Sequence, residues 1–147
     1  MEWLTNPFLE LFDWDAVKYG LVPLRVVLGY IFLDAGFGKW RRGISGTGRW
    51  MEGLSIPMPQ ASARFVAAVE VVGGLLLILG LAVHWAAIPL AASMAVAAYV
   101  QKFKIGAPFQ GGDVQGYELD ILMLAGAVTL ILGGAGPISI DSALGQF

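Results

Sequence analysis

Several ionisable residues lie within or beside long apolar stretches of the chain, where a charge is costly unless it has a partner, and three of them are candidates for one site: Lys39, Glu70 and Glu118. Glu70 lies six residues after Arg64, and its short side chain cannot extend to water from that depth. Lys39 has the same predicted membrane depth, so we predict a Lys39–Glu70 ion pair. Glu118 is expected to join them in a buried polar cluster, which could hydrogen-bond a polar head group and transfer protons. A structural ion pair that fixes helix register is the alternative.

Glycine spacing indicates which helix faces carry these groups. The helix that holds Lys39 has two glycines on the same face, and Glu70 is followed by two more at i+3 and i+4. Small residues allow helices to approach closely in a membrane, so both faces are predicted to pack against neighbouring helices. The first face comprises Arg25, Gly29, Phe32, Gly36 and Lys39, and the second comprises Glu70, Gly73 and Gly74.

Other charges have simpler interpretations. Arg25 and Lys39 lie near opposite ends of one apolar run, where long side chains can extend to the interface. Asp34 lies roughly opposite the glycine face and several residues inside the run, so it needs a partner or a proton. Glu118 opens a helix, where an acid also complements the helix dipole. No metal site is predicted, because the sequence has no cysteine and its single histidine, His84, lies in a predicted turn.

Four apolar runs must position these residues. They predict membrane-spanning helices at about 21–39, 64–83, 85–103 and 118–134, each close to the roughly 20 residues that cross a bilayer. The composition agrees, with 57% hydrophobic and 14% charged residues and a mean hydropathy of +0.71. We therefore predict an all-α membrane protein, a four-transmembrane-helix antiparallel bundle. Its second and third helices form a tight hairpin, because only about four residues separate them.

The distribution of basic residues predicts the orientation. If all four runs span, the loops after the first and third helices share one side with seven of the nine Lys and Arg residues. Short basic loops remain in the cytoplasm, so both termini are predicted on the periplasmic or extracellular side of a bacterial inner membrane. The seven are Lys39, Arg41, Arg42, Arg49, Arg64, Lys102 and Lys104.

The segments outside the predicted spans differ from one another in composition. Residues 1–19 are rich in aromatic residues and acids, which is typical of an amphipathic segment in the membrane interface; a mobile tail is the alternative. Residues 43–60 are rich in Gly, Ser and Pro and predict a loop with one interfacial turn at Trp50. Residues 143–147 form a C-terminal tail. Partner docking is predicted at Trp3, Phe8, Phe12 and Trp14.

Four motifs resemble the DoxX family of small four-helix membrane proteins. They are LRVVLGYIFL at 24–33 followed by AGFGK at 35–39, VEVVGGLLLILGL at 69–81, YEL at 117–119 and GAGPISID at 134–141. The resemblance covers about residues 20–142 and implies that this stretch is one membrane domain. It also implies that Arg25, Lys39, Glu70 and Glu118 occupy motif positions. Some family members resemble subunits of thiosulfate:quinone oxidoreductases, and this chain departs from the pattern at Asp34.

Three functions follow as hypotheses. The first is a membrane subunit of a larger quinone-linked redox complex, with an accessory or anchoring role. The second is a quinone-interacting oxidoreductase subunit that uses the Lys39, Glu70 and Glu118 cluster. The third is a small transporter or lipid-handling protein, because buried charges also mark permeation paths. No covalently bound cofactor is expected, quinone is the candidate ligand, and the partners are the lipid bilayer and other membrane subunits rather than nucleic acid.

Overall fold

The long apolar runs of this chain form helices; they lack the alternation of apolar and polar residues that is typical of a β-strand. The computed structural model describes residues 14–112 and 115–145, and over these ranges it is all-helical, with no β-strand. The predicted interfacial segment lies mostly outside the described residues, including the docking candidates Trp3, Phe8 and Phe12. The helices are α1 (Trp14–Arg41), α2 (Ile44–Gly53), α3 (Pro59–Leu79), α4 (Val83–Tyr99), a π-helical extension of α4 (Val100–Ile105), α5 (Glu118–Gly133) and α6 (Ile140–Ala143).

Three of the helices in the described part of the chain are long and apolar enough to cross a membrane: Val17–Arg41, Pro59–Leu79 and Val83–Ile105. The third predicted span is thus longer than α4 alone, because the π-helical turns continue its axis. The region of the fourth predicted span forms α5, which has 16 residues. That is shorter than the roughly 20 residues of a typical span, so the count of four remains a prediction.

The segment after α1 corrects the sequence analysis. Residues 43–60 were predicted as a loop with one turn, but Ile44–Gly53 forms a ten-residue helix. Its glycines disfavour a helix locally, and tertiary packing overrides that preference. Met51 and Gly48 are buried, and Gly48 lies so close to the side chain of Gln60 on α3 that a Cβ would overlap it. The glycine is therefore part of the α2–α3 contact rather than a sign of a flexible loop.

Helices α1 and α3 meet along the two predicted glycine faces. A Cβ on Gly29 would lie 2.7 Å from the carbonyl oxygen of Gly74, and a Cβ on Gly74 would lie 2.6 Å from the carbonyl oxygen of Gly29. Gly36 likewise approaches Val71 and Ala67 on α3. In lipid, helix association depends on close packing rather than on removal of apolar surface from water. The glycines therefore allow a short distance between α1 and α3. That short distance places Lys39 within reach of Glu70.

Helices α3 and α4 form the predicted tight hairpin. Gly80 (φ 68°) ends α3 and Ala82 (φ 49°) precedes α4, both with left-handed backbone. Leu90 of α4 packs directly against Gly73 of α3. A Cβ at Gly73 would lie 2.9 Å from the side chain of Leu90, so this position has no room for a side chain. Further along, α4 and α5 share a buried apolar core that includes Met94, Met123 and Leu130.

Polar contacts join the helices at the end of the bundle that contains the hairpin turn. Arg25 is 3% exposed, and its guanidinium donates hydrogen bonds to the carbonyl oxygens of Leu77 and Ile78, each at 2.8 Å, and to that of Ile138. It therefore caps the C-terminus of α3. These bonds connect α1, α3 and the segment before α6.

The same end carries two further connections. The carboxylate of Asp141 accepts hydrogen bonds from the backbone N–H groups of Ala82 (2.7 Å) and Val83 (3.0 Å), and so caps the N-terminus of α4. His84 Nδ1 hydrogen-bonds the carbonyl oxygen of Ile131 at 2.7 Å, which links α4 to the end of α5. The lone histidine thus has a structural contact.

Candidate functional site

A cavity of about 350 Å³ lies at the opposite end of the bundle, between α1, α3, α4 and α5. Its walls are mostly apolar and include Phe32, Met94 and Met123. Residues Trp50, Met51 and Ile56, from α2 and the loop after it, border the cavity as well. The volume falls in the roughly 300–1,000 Å³ range of small-molecule sites.

The structure brings Lys39 and Glu70 together inside this cavity. Lys39 Nζ donates to Glu70 Oε2 at 2.5 Å, across the α1–α3 contact that the glycines create. The side chain of Glu70 is 3% exposed and that of Lys39 is 21% exposed. Desolvation of the carboxylate is thus offset by a direct cation, and the ammonium retains partial access to the cavity.

Asp120, rather than Glu118, is the acid of α5 that lines the cavity. Its Oδ2 atom is buried and has no hydrogen-bond partner among the described residues, while the carboxylate lies within electrostatic range of Lys39. Glu118 Oε2 instead accepts a hydrogen bond from the backbone N–H of Gly111 at 2.9 Å, in the loop before α5. The structure therefore separates Glu118 from the other two members of the predicted cluster.

The two acids lie on different faces of α5, which explains why Asp120 lines the cavity and Glu118 does not. Asp120 precedes Met123, Ala127 and Leu130 at helical spacing, and these three are buried. Leu122 lies on the face of Glu118 and is 69% exposed. Both faces carry one alanine, Ala125 on the face of Glu118 and Ala127 on that of Asp120, so this spacing in the sequence does not distinguish the two acids.

Further polar groups complete the cavity. Arg42, Gln101 and Gln115 line it along with the three charged residues already named. Two tyrosines near this end do not line it: Tyr99 is 56% exposed, and Tyr117 packs edge-on against Phe109. With Lys39 and Arg42 opposite Glu70 and Asp120, the lining has balanced formal charge. Such a site suits a ligand that is neutral overall and carries polar oxygens.

The remaining predicted charges lie elsewhere. Arg25 is at the hairpin end, and Asp34 is exposed on the outer surface of α1, so neither reaches the cavity. Trp14 begins α1. Within the described ranges no three His, Cys, Asp or Glu side chains come close enough to hold a metal ion.

Comparisons with known proteins agree with the resemblance in the sequence. The DoxX family model matches residues 20–102. A Bacillus subtilis (strain 168) protein named "Putative oxidoreductase CatD" is 34% identical over 124 residues, which cover 84% of this chain and 86% of that protein. "Uncharacterized membrane protein Rv3486" of Mycobacterium tuberculosis (strain H37Rv) is 31% identical over 134 residues, which cover 86% of this chain and 82% of that protein. No solved structure matches.

The matched region includes α1, α2, α3 and α4, and with them the glycine contact and the Lys39–Glu70 pair. Asp120 and Asp141 lie beyond the residues that the family model matches, and the two relatives match 84% and 86% of this chain. Family match, full-length relatives and membrane-spanning helices lead to one conclusion: the chain belongs to the DoxX family of membrane proteins.

Proposed function

We propose that the protein is an integral subunit of a quinone-linked membrane redox complex and that its cavity binds the quinone head group. The observation that carries the proposal is the set of charged side chains, Lys39, Glu70 and Asp120, in an otherwise apolar cavity formed by membrane helices. A ring with two carbonyl oxygens needs an apolar slot and a few polar groups, which matches this lining. The relative named as an oxidoreductase supports the redox class.

Each polar side chain has a distinct role in this proposal. Lys39 Nζ, which Glu70 holds in place, donates a hydrogen bond to a carbonyl oxygen of the head group. The carboxyl group of Asp120, whose Oδ2 has no hydrogen-bond partner among the described residues, donates a proton to the second oxygen when the quinone is reduced and accepts it back when the quinol is oxidised. Full reduction of a quinone to a quinol takes up two electrons and two protons, and the ammonium of Lys39 supplies the other proton to the first oxygen; both groups are then reprotonated from the aqueous phase. This sequence has no cysteine and one histidine, so we assign electron delivery to a partner subunit.

The proposal includes the finer topology. Helix α5 acts as a fourth, short span, and the basic segments around α2 and the π-helical turns face the cytoplasm of a bacterial inner membrane. The cavity then lies in the cytoplasmic half of the bundle, where protons and a soluble or peripheral electron donor have access.

Quinone binding by the purified protein tests the cavity directly. The probe is ubiquinone-1 or menadione in detergent micelles, and binding is measured by equilibrium dialysis. We expect Asp120→Leu, which removes the carboxyl O–H that donates to the second carbonyl oxygen, to weaken binding about tenfold, which corresponds to about 1.4 kcal/mol and lies in the range for a hydrogen bond between neutral groups. Asp120 is preferred to Glu70 for this test because it has no partner whose loss would destabilise the fold.

Glu118→Gln is the matched control, since it removes an acid from the same helix outside the cavity. It should bind quinone as the unmodified protein does. Equal affinity for the unmodified protein and Asp120→Leu would refute the proposed site, as would an unmodified protein that binds neither quinone. If redox subunits copurify without quinone binding, only the anchoring role survives.

A further inference from the structure

One face of α1 is exposed along the whole length of the span. Its residues recur at i+3 and i+4 and fall within about 40° of one line at 100° per residue. Val27 is 59% exposed, Tyr30 65% and Phe37 45%, and Asp34 is exposed between them. We call this face the α1 stripe; it consists of Pro23, Val27, Tyr30, Asp34, Phe37 and Arg41.

Two members of the stripe are polar at depths where lipid offers no partner. Trp40 is 57% exposed and marks the interface level, because exposed tryptophans favour the head-group region. At a rise of 1.5 Å per residue, Asp34 lies about 9 Å and Tyr30 about 15 Å inside that level, the latter near the centre of a hydrocarbon core of about 30 Å. Neither side chain has a hydrogen-bond or ion-pair partner among the described residues.

The chemistry of these groups favours a different subunit over a second copy. Two copies that meet through this stripe about a two-fold axis would place Asp34 against Asp34, which is repulsive when both are charged. The exposed cations of this chain that the structure describes near this end lie closer to the cytoplasm. Arg41 follows Trp40, and Arg64 precedes Glu70 by six residues on α3. A helix that satisfies Asp34 must bring its own cation to that depth.

We propose that the α1 stripe is the docking surface for a transmembrane helix of a partner subunit that carries a lysine or arginine about 9 Å inside the cytoplasmic interface. The cation pairs with Asp34, and a polar group one turn further into the membrane accepts a hydrogen bond from the hydroxyl of Tyr30. Val27 and Phe37 supply apolar contacts above and below. This inference rests on the proposed function only in requiring a partner subunit, and not on quinone binding.

Site-specific photocrosslinking in native membranes tests the surface. Benzoylphenylalanine replaces Val27 or Phe37 on the stripe, and Val72 on α3 or Val96 on α4 as controls; the control positions are 57% and 60% exposed on other faces. We expect the stripe positions, but not the controls, to crosslink to one membrane protein. Mass spectrometry of the crosslinked peptide should identify a transmembrane segment with a lysine or arginine.

Charge exchange then tests the pairing itself. Asp34→Asn should lower the crosslink yield about tenfold, equivalent to about 1.4 kcal/mol, and Asp34→Lys should abolish it. Changing the partner's cation to aspartate should restore the crosslink in Asp34→Lys. Crosslinks to a second copy, crosslinks to lipid alone, a yield that Asp34→Asn leaves unchanged, or no rescue by the exchanged pair would each overturn the inference. Asp34→Asn should retain quinone binding, so failure of this surface and failure of the cavity are separate results.

Discussion

Removal of one partner from the Lys39–Glu70 pair should have an asymmetric effect on stability. The two side chains are joined at 2.5 Å, but Glu70 is 3% exposed and Lys39 is 21% exposed. Lys39→Met leaves a carboxylate enclosed by protein without its cation. Glu70→Gln leaves an ammonium that retains contact with the cavity, and the new amide oxygen can still accept its hydrogen bond.

The expected magnitudes follow from burial. Breaking a buried pair from one side costs about 3–5 kcal/mol, and the nearly complete burial of Glu70 places Lys39→Met in that range. Glu70→Gln loses the charge attraction but retains a hydrogen bond, so we expect about 1–2 kcal/mol. The double variant Lys39→Met with Glu70→Gln leaves no charge at the pair, so it should lose about 1–2 kcal/mol, well below the sum of the two single effects.

Equilibrium unfolding in mixed micelles, followed by tryptophan fluorescence, provides the free energies for this double-mutant cycle. A double variant that loses the sum of the two single effects would refute the reasoning, because additivity means that the residues do not interact. Equal losses in Lys39→Met and Glu70→Gln would show that burial does not set the cost.

Two further predictions concern packing and orientation. Gly74→Ala should destabilise the protein by about 1–3 kcal/mol in the same unfolding assay, because its Cβ would lie 2.6 Å from a backbone oxygen of α1 that cannot move aside; Gly20→Ala, with nothing within 4 Å, is the control and should be neutral. The sequence has no cysteine, so single-cysteine variants report topology directly. A membrane-impermeant thiol reagent should label Ala143→Cys in intact cells and Ser45→Cys only after permeabilisation, and the reverse pattern would invert the proposed orientation.

Much of the bundle could be predicted because its determinants are local. The glycines of α1 and α3 identified the faces that meet, and equal depth then identified Lys39 as the neighbour of Glu70. The family resemblance is confirmed by the family model and by both relatives.

What could not be predicted depends on contacts between distant segments. The helix Ile44–Gly53 forms although its glycines disfavour it, because α3 offers a surface for Met51 and Gly48. Glu118 and Asp120 both lie in the first turn of the same helix, so the sequence does not show which of them faces the cavity. Only the fold shows that the backbone N–H of Gly111 donates a hydrogen bond to Glu118. The position of Arg25 in the sequence allows it to extend to the interface, and only the fold shows that its guanidinium donates to the carbonyl oxygens that end α3.

The polar contacts of Arg25, Asp141 and His84 have a mechanical consequence. They fasten the helix ends to one another where the α3–α4 turn lies, while the other end of the bundle encloses the cavity. Helices that are joined at one end can tilt about that end, so their displacement is largest at the other end. From Arg25 to Lys39 α1 is about 21 Å long, so a tilt of about 5° displaces the cavity wall by about 2 Å. Because the glycine contact and the Lys39–Glu70 pair hold α1 against α3, we expect these two helices to tilt together relative to α4 and α5 when a molecule enters the cavity.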